Sequence, residues 1–178
     1  MRTVILISLF LLSAVPVRAQ TYTVKKLITA DTFELTNGVT VHMIGVKAPD
    51  EVEENKDFPD LEKLYGSSVT DRWIDNIAQN YLLTPGVQVI LQYDVARRDA
   101  SGNILAYVYR KRPLDESDFQ RTGCWTSTLI NGEEYLFINE YLLCSGAAAA
   151  VSEPPNLKYA EHFKTLHDNA VKYKSGNK

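Results

Sequence analysis

Residues 41–50 read Val41-His42-Met43-Ile44-Gly45-Val46-Lys47-Ala48-Pro49-Asp50. The beginning of this segment belongs to a predicted strand, Val39–Ile44. That strand follows another apolar run, Thr32–Thr36, across the dipeptide Asn37-Gly38. An Asn-Gly pair between two apolar runs is the strongest short-range signal for a β-hairpin. Gly45 and Pro49 then interrupt the strand pattern, because glycine permits a tight turn and proline cannot donate to a ladder. The sequence therefore predicts an antiparallel hairpin that ends in a turn.

Further strands are predicted on both sides of this hairpin, at Tyr22–Ile28, Val87–Tyr93, Leu105–Tyr109, Trp125–Ile130 and Glu134–Ile138. The last two flank a second Asn-Gly pair, which predicts a second hairpin. Strands that come first and are mostly antiparallel, with helices interspersed and last, indicate an α+β chain. The count fits a five-stranded β-barrel of the oligonucleotide/oligosaccharide-binding (OB) type with about three helices.

The three predicted helices differ in the strength of their patterns. Apolar residues recur every four positions from Leu61 to Tyr81, which predicts a helix that opens at Pro59-Asp60 and ends before Pro85-Gly86. Alanine favours a short helix over Asn139–Ala150. A final amphipathic helix is predicted from Asn156, and residues 175–178 are expected to fray.

The first nineteen residues carry much of the apolar content and read as a secretory signal peptide. An apolar run follows Arg2, and Val17-Arg18-Ala19 resembles a cleavage site. A membrane anchor is the alternative, although the run is short for a span. Removal of Arg2 and Arg18 lowers the basic residues from 19 to 17 against 22 acidic ones, which changes the net charge from −3 to −5. That balance argues against broad, non-specific nucleic-acid binding. We expect a secreted or periplasmic monomer, without a membrane span after cleavage, formed by one domain over residues 20–174.

The chain has two cysteines, Cys124 and Cys144. An exported chain meets an oxidising compartment, which favours a disulfide between them. The alternative is two buried thiols, because free cysteine packs as a small hydrophobe. A polar insertion near residues 111–123 lies just before Cys124, so a bridge would tie this insertion to the barrel.

The order of segments resembles the staphylococcal-nuclease-like (thermonuclease) family from about Thr23 to Lys172. The similarity rests on residues 41–50 and on these blocks: Ile28-Thr29-Ala30-Asp31-Thr32-Phe33, Arg98-Asp99-Ala100-Ser101-Gly102-Asn103-Ile104-Leu105-Ala106-Tyr107-Val108-Tyr109, Ile138-Asn139-Glu140, Ser145-Gly146-Ala147-Ala148 and Pro155-Asn156-Leu157-Lys158-Tyr159. The resemblance implies an OB-type barrel and a nuclease that cleaves DNA or RNA with one Ca²⁺. Two aspartates would hold the ion, a glutamate would act on the attacking water and two arginines would bind the phosphate.

Most of these positions are substituted in this chain. Asp31 matches one metal-binding aspartate, but Lys47 stands in place of the other. Asp50 stands for the glutamate, and His42 and Asn103 stand for the two arginines. Neither histidine nor asparagine provides the planar, permanently charged fork of arginine. We expect the ammonium of Lys47 to replace the ion beside Asp31, so that no cofactor is needed unless the chain is an active Ca²⁺ enzyme.

Three functions remain open at this point. The first is a nuclease-like domain with reduced or lost phosphodiesterase activity that acts as a binding or structural module, with nucleic acid as one candidate partner. The second is an active metal-dependent nuclease in which Glu51 or Glu53 of the acidic loop 50–62 supplies a replacement ligand. The third is a saccharide- or protein-binding module that uses the barrel face and the 111–123 insertion. The fold alone does not choose among them.

Overall fold

The structure is a computed structural model that describes residues 20–47, 82–111, 124 and 127–176. The predicted signal peptide, the helix predicted to open at Pro59-Asp60, nearly all of the 111–123 insertion and Asp50 lie outside these residues. The described strands are β1 (Thr21–Leu27), β2 (Thr32–Leu35), β3 (Thr40–Met43), β4 (Val46–Lys47), β5 (Gln88–Gln92), β6 (Ile104–Lys111), β7 (Ser127–Ile130), β8 (Glu133–Phe137) and β9 (Ala149–Ala150). The described helices are α1 (Ile138–Cys144) and α2 (Ala160–Gly176).

Five of the strands close into a mixed β-barrel. The antiparallel pairs β3–β2, β2–β1, β1–β5 and β5–β6 form a continuous sheet, and β3 then pairs with β6 in parallel to close it. Strands β8 and β7 extend the sheet beyond β6 as an antiparallel hairpin. The α+β class and both predicted hairpins are confirmed, and the closed five-stranded barrel is consistent with an OB type. The described residues hold two of the three predicted helices.

The barrel interior is apolar because alternate residues of each strand point inward. The fully buried side chains include Val24, Phe33, Leu35, Val41, Met43 and Val108. On the outside of β5 and β6, the two helices cover a cluster of aromatic rings. Its members are Tyr107, Tyr109, Phe137, Tyr159 and Phe163.

Helix α1 is shorter than the sequence predicts. It was expected over 139–150, but it ends at Cys144, and Gly146 adopts a left-handed φ of 64°. The amides of Ala147 and Ala148 both donate to the carbonyl of Leu142. Residues 149–150 then form β9, which pairs antiparallel with β4. Tertiary pairing therefore overrides the helix preference of the alanine run.

Helix α2 begins later than predicted, at Ala160, and extends to Gly176. It therefore includes the first two residues of the predicted 175–178 tail. Its close approach to the barrel depends on Gly45, where a β-carbon would lie 2.7 Å from Cδ2 of Phe163. Gly45 also has a φ of 74°, which L-residues with side chains rarely adopt. None of the helices in the described residues is long and apolar enough to cross a membrane.

The Cys124–Cys144 disulfide predicted from the sequence is confirmed, with the two Cα atoms 5.8 Å apart. The bond closes a loop over a sequence separation of 20 residues. It joins the chain just before β7 to the last residue of α1. The segment that leads into the hairpin extension is therefore covalently tied to the helical layer.

Candidate functional site

Asp31 lies in the turn between β1 and β2 and is completely buried. Its Oδ1 accepts hydrogen bonds from the hydroxyls of Thr29, at 2.6 Å, and Thr32, at 3.0 Å. Its main-chain carbonyl accepts from the amide of Met43 on β3. The two hydroxyls offset part of the cost of burying the carboxylate, because charge-assisted hydrogen bonds are strong. The aspartate is therefore fixed in one orientation by its own turn.

His42 reaches this aspartate from β3. Its backbone lies between Thr32 on β2 and Leu105 on β6, so the ring projects from the outer surface of the barrel where β3 meets both neighbours. The imidazole Nε2 lies 3.8 Å from Oδ2 of Asp31, and 24% of the His42 side chain is exposed. The distance is within ion-pair range but too long for a hydrogen bond. A protonated His42 would place a positive charge beside the buried carboxylate.

Asn103 is joined to Asp99 by two hydrogen bonds within the β5–β6 loop. The Asn103 amide donates to Oδ1 of Asp99 and the side-chain Nδ2 donates to Oδ2, both at 2.9 Å. Burial raises the pKa of Asp99, but the bonds from Asn103, the amide of Ser101 and the nearby His42 outweigh it, and the net pKa is lowered. His42 is thus electrostatically linked to two aspartates, Asp31 and Asp99, from different loops.

The structure therefore brings three of the predicted site residues, Asp31, His42 and Asn103, to one side of the barrel. Asp99 was not predicted as a site residue, although it was quoted in the resemblance and an aspartate four residues before an asparagine is a turn signal. Asp50, the fourth candidate, lies outside the described residues. The convergence follows from topology, because the parallel β3–β6 pair places His42 next to the start of β6.

Lys47 was predicted to lie within about 4 Å of Asp31 or to reach it through one water. No direct ion pair joins these two described residues, whereas His42 lies within ion-pair range of Asp31. Lys47 lies on β4, and its backbone pairs with Ala149 of β9. The preceding residue, Val46, is completely buried, and successive strand residues point to opposite faces. The side chain of Lys47 is therefore directed away from the face on which Val46 packs.

The donors at this site do not match a phosphate clamp. A side-chain N–H of Asn103 is already donated to Asp99, and Nε2 of His42 faces Asp31. Arginine would have offered several N–H donors in a fixed fork. The arrangement can hold a positive charge on an imidazole, and it can hold the two loops together around that charge.

The described residues do not fit a calcium ion. Calcium takes six to eight oxygen ligands, usually including several carboxylates. Within residues 20–47, 82–111, 124 and 127–176, no group of three or more His, Cys, Asp or Glu side chains could hold a metal ion. One oxygen of Asp31 already accepts two hydroxyl hydrogen bonds.

A cleft of about 890 Å³ lies at the end of the barrel near the β7–β8 hairpin. Its polar lining includes Gln20, Gln88, Lys111, Glu133 and Tyr135. Lys111 and Glu133 form an ion pair of 2.7 Å across neighbouring strands. None of the candidate site residues lines this cleft.

No known family model matches the chain, and no curated protein matches it either. The site geometry and the sequence therefore carry the functional argument.

Proposed function

We propose that the chain is a secreted domain of the staphylococcal-nuclease-like family whose phosphodiesterase activity is reduced or lost. It acts as a binding or structural module rather than as an efficient enzyme. The closed five-stranded barrel and the matching order of sequence blocks support this proposal. So does the Cys124–Cys144 disulfide, since such bonds persist in oxidising compartments.

One observation carries the proposal, namely the two hydrogen bonds that join Asn103 to Asp99. In an active member of the resembled family, this position would present an arginine to the phosphate. Here the Asn103 side chain donates a hydrogen bond within its own loop. This bond stabilises the loop and removes a donor that a bound phosphate would need. Losing several members of one catalytic unit leaves little useful rate, because such residues act together.

The alternative is an active nuclease with an altered site. It is favoured by Asp31, whose carboxylate stays buried and oriented as a metal ligand would need. Asp50, Glu51 and Glu53 would then complete the ligand set and act on the water. A second alternative, a saccharide- or protein-binding module, is favoured by the polar cleft near the β7–β8 hairpin.

Calcium binding separates the first two functions. We expect millimolar Ca²⁺ to leave the melting temperature of the purified protein unchanged, because a ligand stabilises only the state that it binds. Magnesium at equal ionic strength serves as the control. A thermal shift specific to Ca²⁺ that Asp31→Ala abolishes would favour the active nuclease instead.

A further inference from the structure

Apart from Lys172 of α2, which interacts electrostatically with Asp168, the exposed cations of the described residues fall into two sets. The first set is paired with carboxylates at 2.5–3.3 Å and comprises Lys25, Lys26, Lys111 and Lys164. The second set comprises Arg97, Arg98 and Lys158, which make no ion pair with any described carboxylate. Lys47 and Arg110 also lack such a pair, but both are half-buried. The second set is therefore exposed and has no carboxylate partner among the described residues, although Nη1 of Arg98 donates to the carbonyl of Gly102 at 2.5 Å and the Lys158 ammonium lies 4.9 Å from the Tyr159 ring centroid.

A buried asparagine brings this second set together. Asn156 is only 3% exposed and exchanges two hydrogen bonds with the backbone of Ala96, of 2.8 and 3.0 Å. Nearby, the amide of Lys158 donates to Oδ2 of Asp94 at 3.2 Å. The segment after β5 is thus fastened alongside the segment before α2. Arg97 and Lys158 consequently lie on adjoining stretches of backbone.

The cations face solvent, whereas the acidic side chains of the same segments accept hydrogen bonds from other groups of the protein. Asp94 accepts from the hydroxyl of Tyr107 as well as from the Lys158 amide, and Asp99 accepts from Asn103. The Arg97 guanidinium lies 5.2 Å from the ring centroid of Tyr93, a cation–π distance. The three cations of these segments, Arg97, Arg98 and Lys158, outnumber their two carboxylates by one, although the chain as a whole has a net charge of −3.

Two aliphatic side chains are exposed on the same two adjoining segments. Val95 is 72% exposed and Leu157 is 49% exposed, and both lie next to residues that the Asn156 and Asp94 bonds hold together. Aliphatic groups add nothing to the binding of phosphates along a polymer. They do add to binding at a lipid interface, where apolar side chains enter the headgroup region beside basic ones.

We propose that this basic loop surface, formed by Val95, Arg97, Arg98, Leu157 and Lys158, binds the surface of an anionic phospholipid bilayer. The three cations attract the lipid headgroups, and the two aliphatic side chains insert between them. The segments are held in place by the buried Asn156, so little order has to be gained on binding. Attachment is peripheral, and its strength falls as salt increases.

Vesicle sedimentation tests the proposal with the full-length protein. We expect binding to phosphatidylcholine vesicles that contain phosphatidylglycerol, and little binding to phosphatidylcholine alone. Each lost cation should weaken binding roughly fivefold, so Arg97→Gln/Arg98→Gln/Lys158→Gln should lose nearly all of it. The charge-matched control Lys25→Gln/Lys111→Gln/Lys164→Gln should bind within about twofold of wild type, since its lysines are spread over other surfaces. All variants keep residues 1–19, so any contribution of this segment is common to them.

The contribution of the two aliphatic side chains is tested by comparing Val95→Ser/Leu157→Ser with the control Leu129→Ser. Leu129 is 73% exposed but lies on β7, outside the basic loop surface. The double variant should weaken vesicle binding by about tenfold or more at constant charge, and the control should not. Equal losses of vesicle binding in the two triple variants would overturn the proposal, because the net charge of the protein alone would then explain binding. Tighter binding to a soluble polyanion such as a short oligonucleotide, unaffected by Val95→Ser/Leu157→Ser, would overturn it in favour of a polymer partner. Circular dichroism and melting temperatures check that each variant folds.

Discussion

The imidazole of His42 and the carboxylate of Asp31 lie 3.8 Å apart, although they belong to different strands and only the aspartate is fully buried. The Asp99 carboxylate, held by Asn103, is close enough for His42 to lower its pKa. His42 on β3 therefore interacts electrostatically with two aspartates from different loops.

We predict that Gly45→Ala destabilises the fold by about 2–4 kcal/mol. The new β-carbon would lie 2.7 Å from the Phe163 ring, and the backbone would retain a φ that disfavours alanine. Urea unfolding measures the change. Gly38→Ala is the matched control, since Gly38 has a φ of 81° but no atom within 4 Å of the added carbon, and it should cost only about 1 kcal/mol. Equal losses would show that α2 does not pack as closely on Gly45 as described.

We predict that Asn139→Leu costs about 3 kcal/mol of unfolding free energy. Asn139 is completely buried, accepts from the amide of Val108 at 2.8 Å and donates to the carbonyl of Ile44 at 2.9 Å. Leucine fills similar space but leaves both backbone groups unpaired away from water. Chemical denaturation checks the value. Asn169→Leu on the exposed side of α2 should change stability by less than about 0.5 kcal/mol, and a comparable loss there would contradict the assignment.

We predict that removing the disulfide lowers stability by about 3 kcal/mol, as expected for a closed loop of this length. Cys124→Ser/Cys144→Ser should therefore melt several degrees lower than wild type under non-reducing conditions. Added reductant should lower the melting temperature of wild type toward that of the variant and leave the variant unchanged. A wild-type melting temperature that ignores reductant would argue against the bridge.

We predict that Asn103→Ala destabilises the protein in a pH-dependent way. Asp99 has a folded-state pKa below its usual value of 3.8, so its hydrogen bonds stabilise the fold above that value. The loss should be at most about 1 kcal/mol at neutral pH, and it should shrink as the pH falls through the folded-state pKa. Carboxyl NMR titration should show the Asp99 pKa moving up toward 3.8 in the variant. A loss that does not change with pH would show that the bond does not depend on the ionised carboxylate.

The barrel was predictable from local patterns. The Asn37-Gly38 and Asn131-Gly132 signals each produced a hairpin, and Asn131 and both glycines have the positive φ that such turns need. The parallel β3–β6 pair that closes the barrel was not predicted, because the period-2 pattern of a strand does not identify its partner. The disulfide was predictable from the compartment and the count of two cysteines.

The candidate site was predictable in its members but not in its contacts. Sequence placed Asp31, His42 and Asn103 at the site, yet it assigned the charge beside Asp31 to Lys47. The described residues show no direct Lys47–Asp31 ion pair, and the pairing of β4 with β9 fixes the backbone at Lys47. That pairing involves an alanine run whose local preference is helical, so no local pattern indicates it. The role of Asn156 as an anchor was also missed, since a lone asparagine beside prolines reads as a turn residue.

We expect the site not to cleave phosphodiesters efficiently, and the most direct measurement is the turnover of fluorogenic DNA and RNA by the purified protein. Rates are compared with Ca²⁺ and with a chelator, for wild type and for Asp31→Ala. Wild type and Asp31→Ala should give the same background rate under both conditions. Turnover by wild type that requires Ca²⁺, stops with chelator and disappears in Asp31→Ala would contradict this expectation.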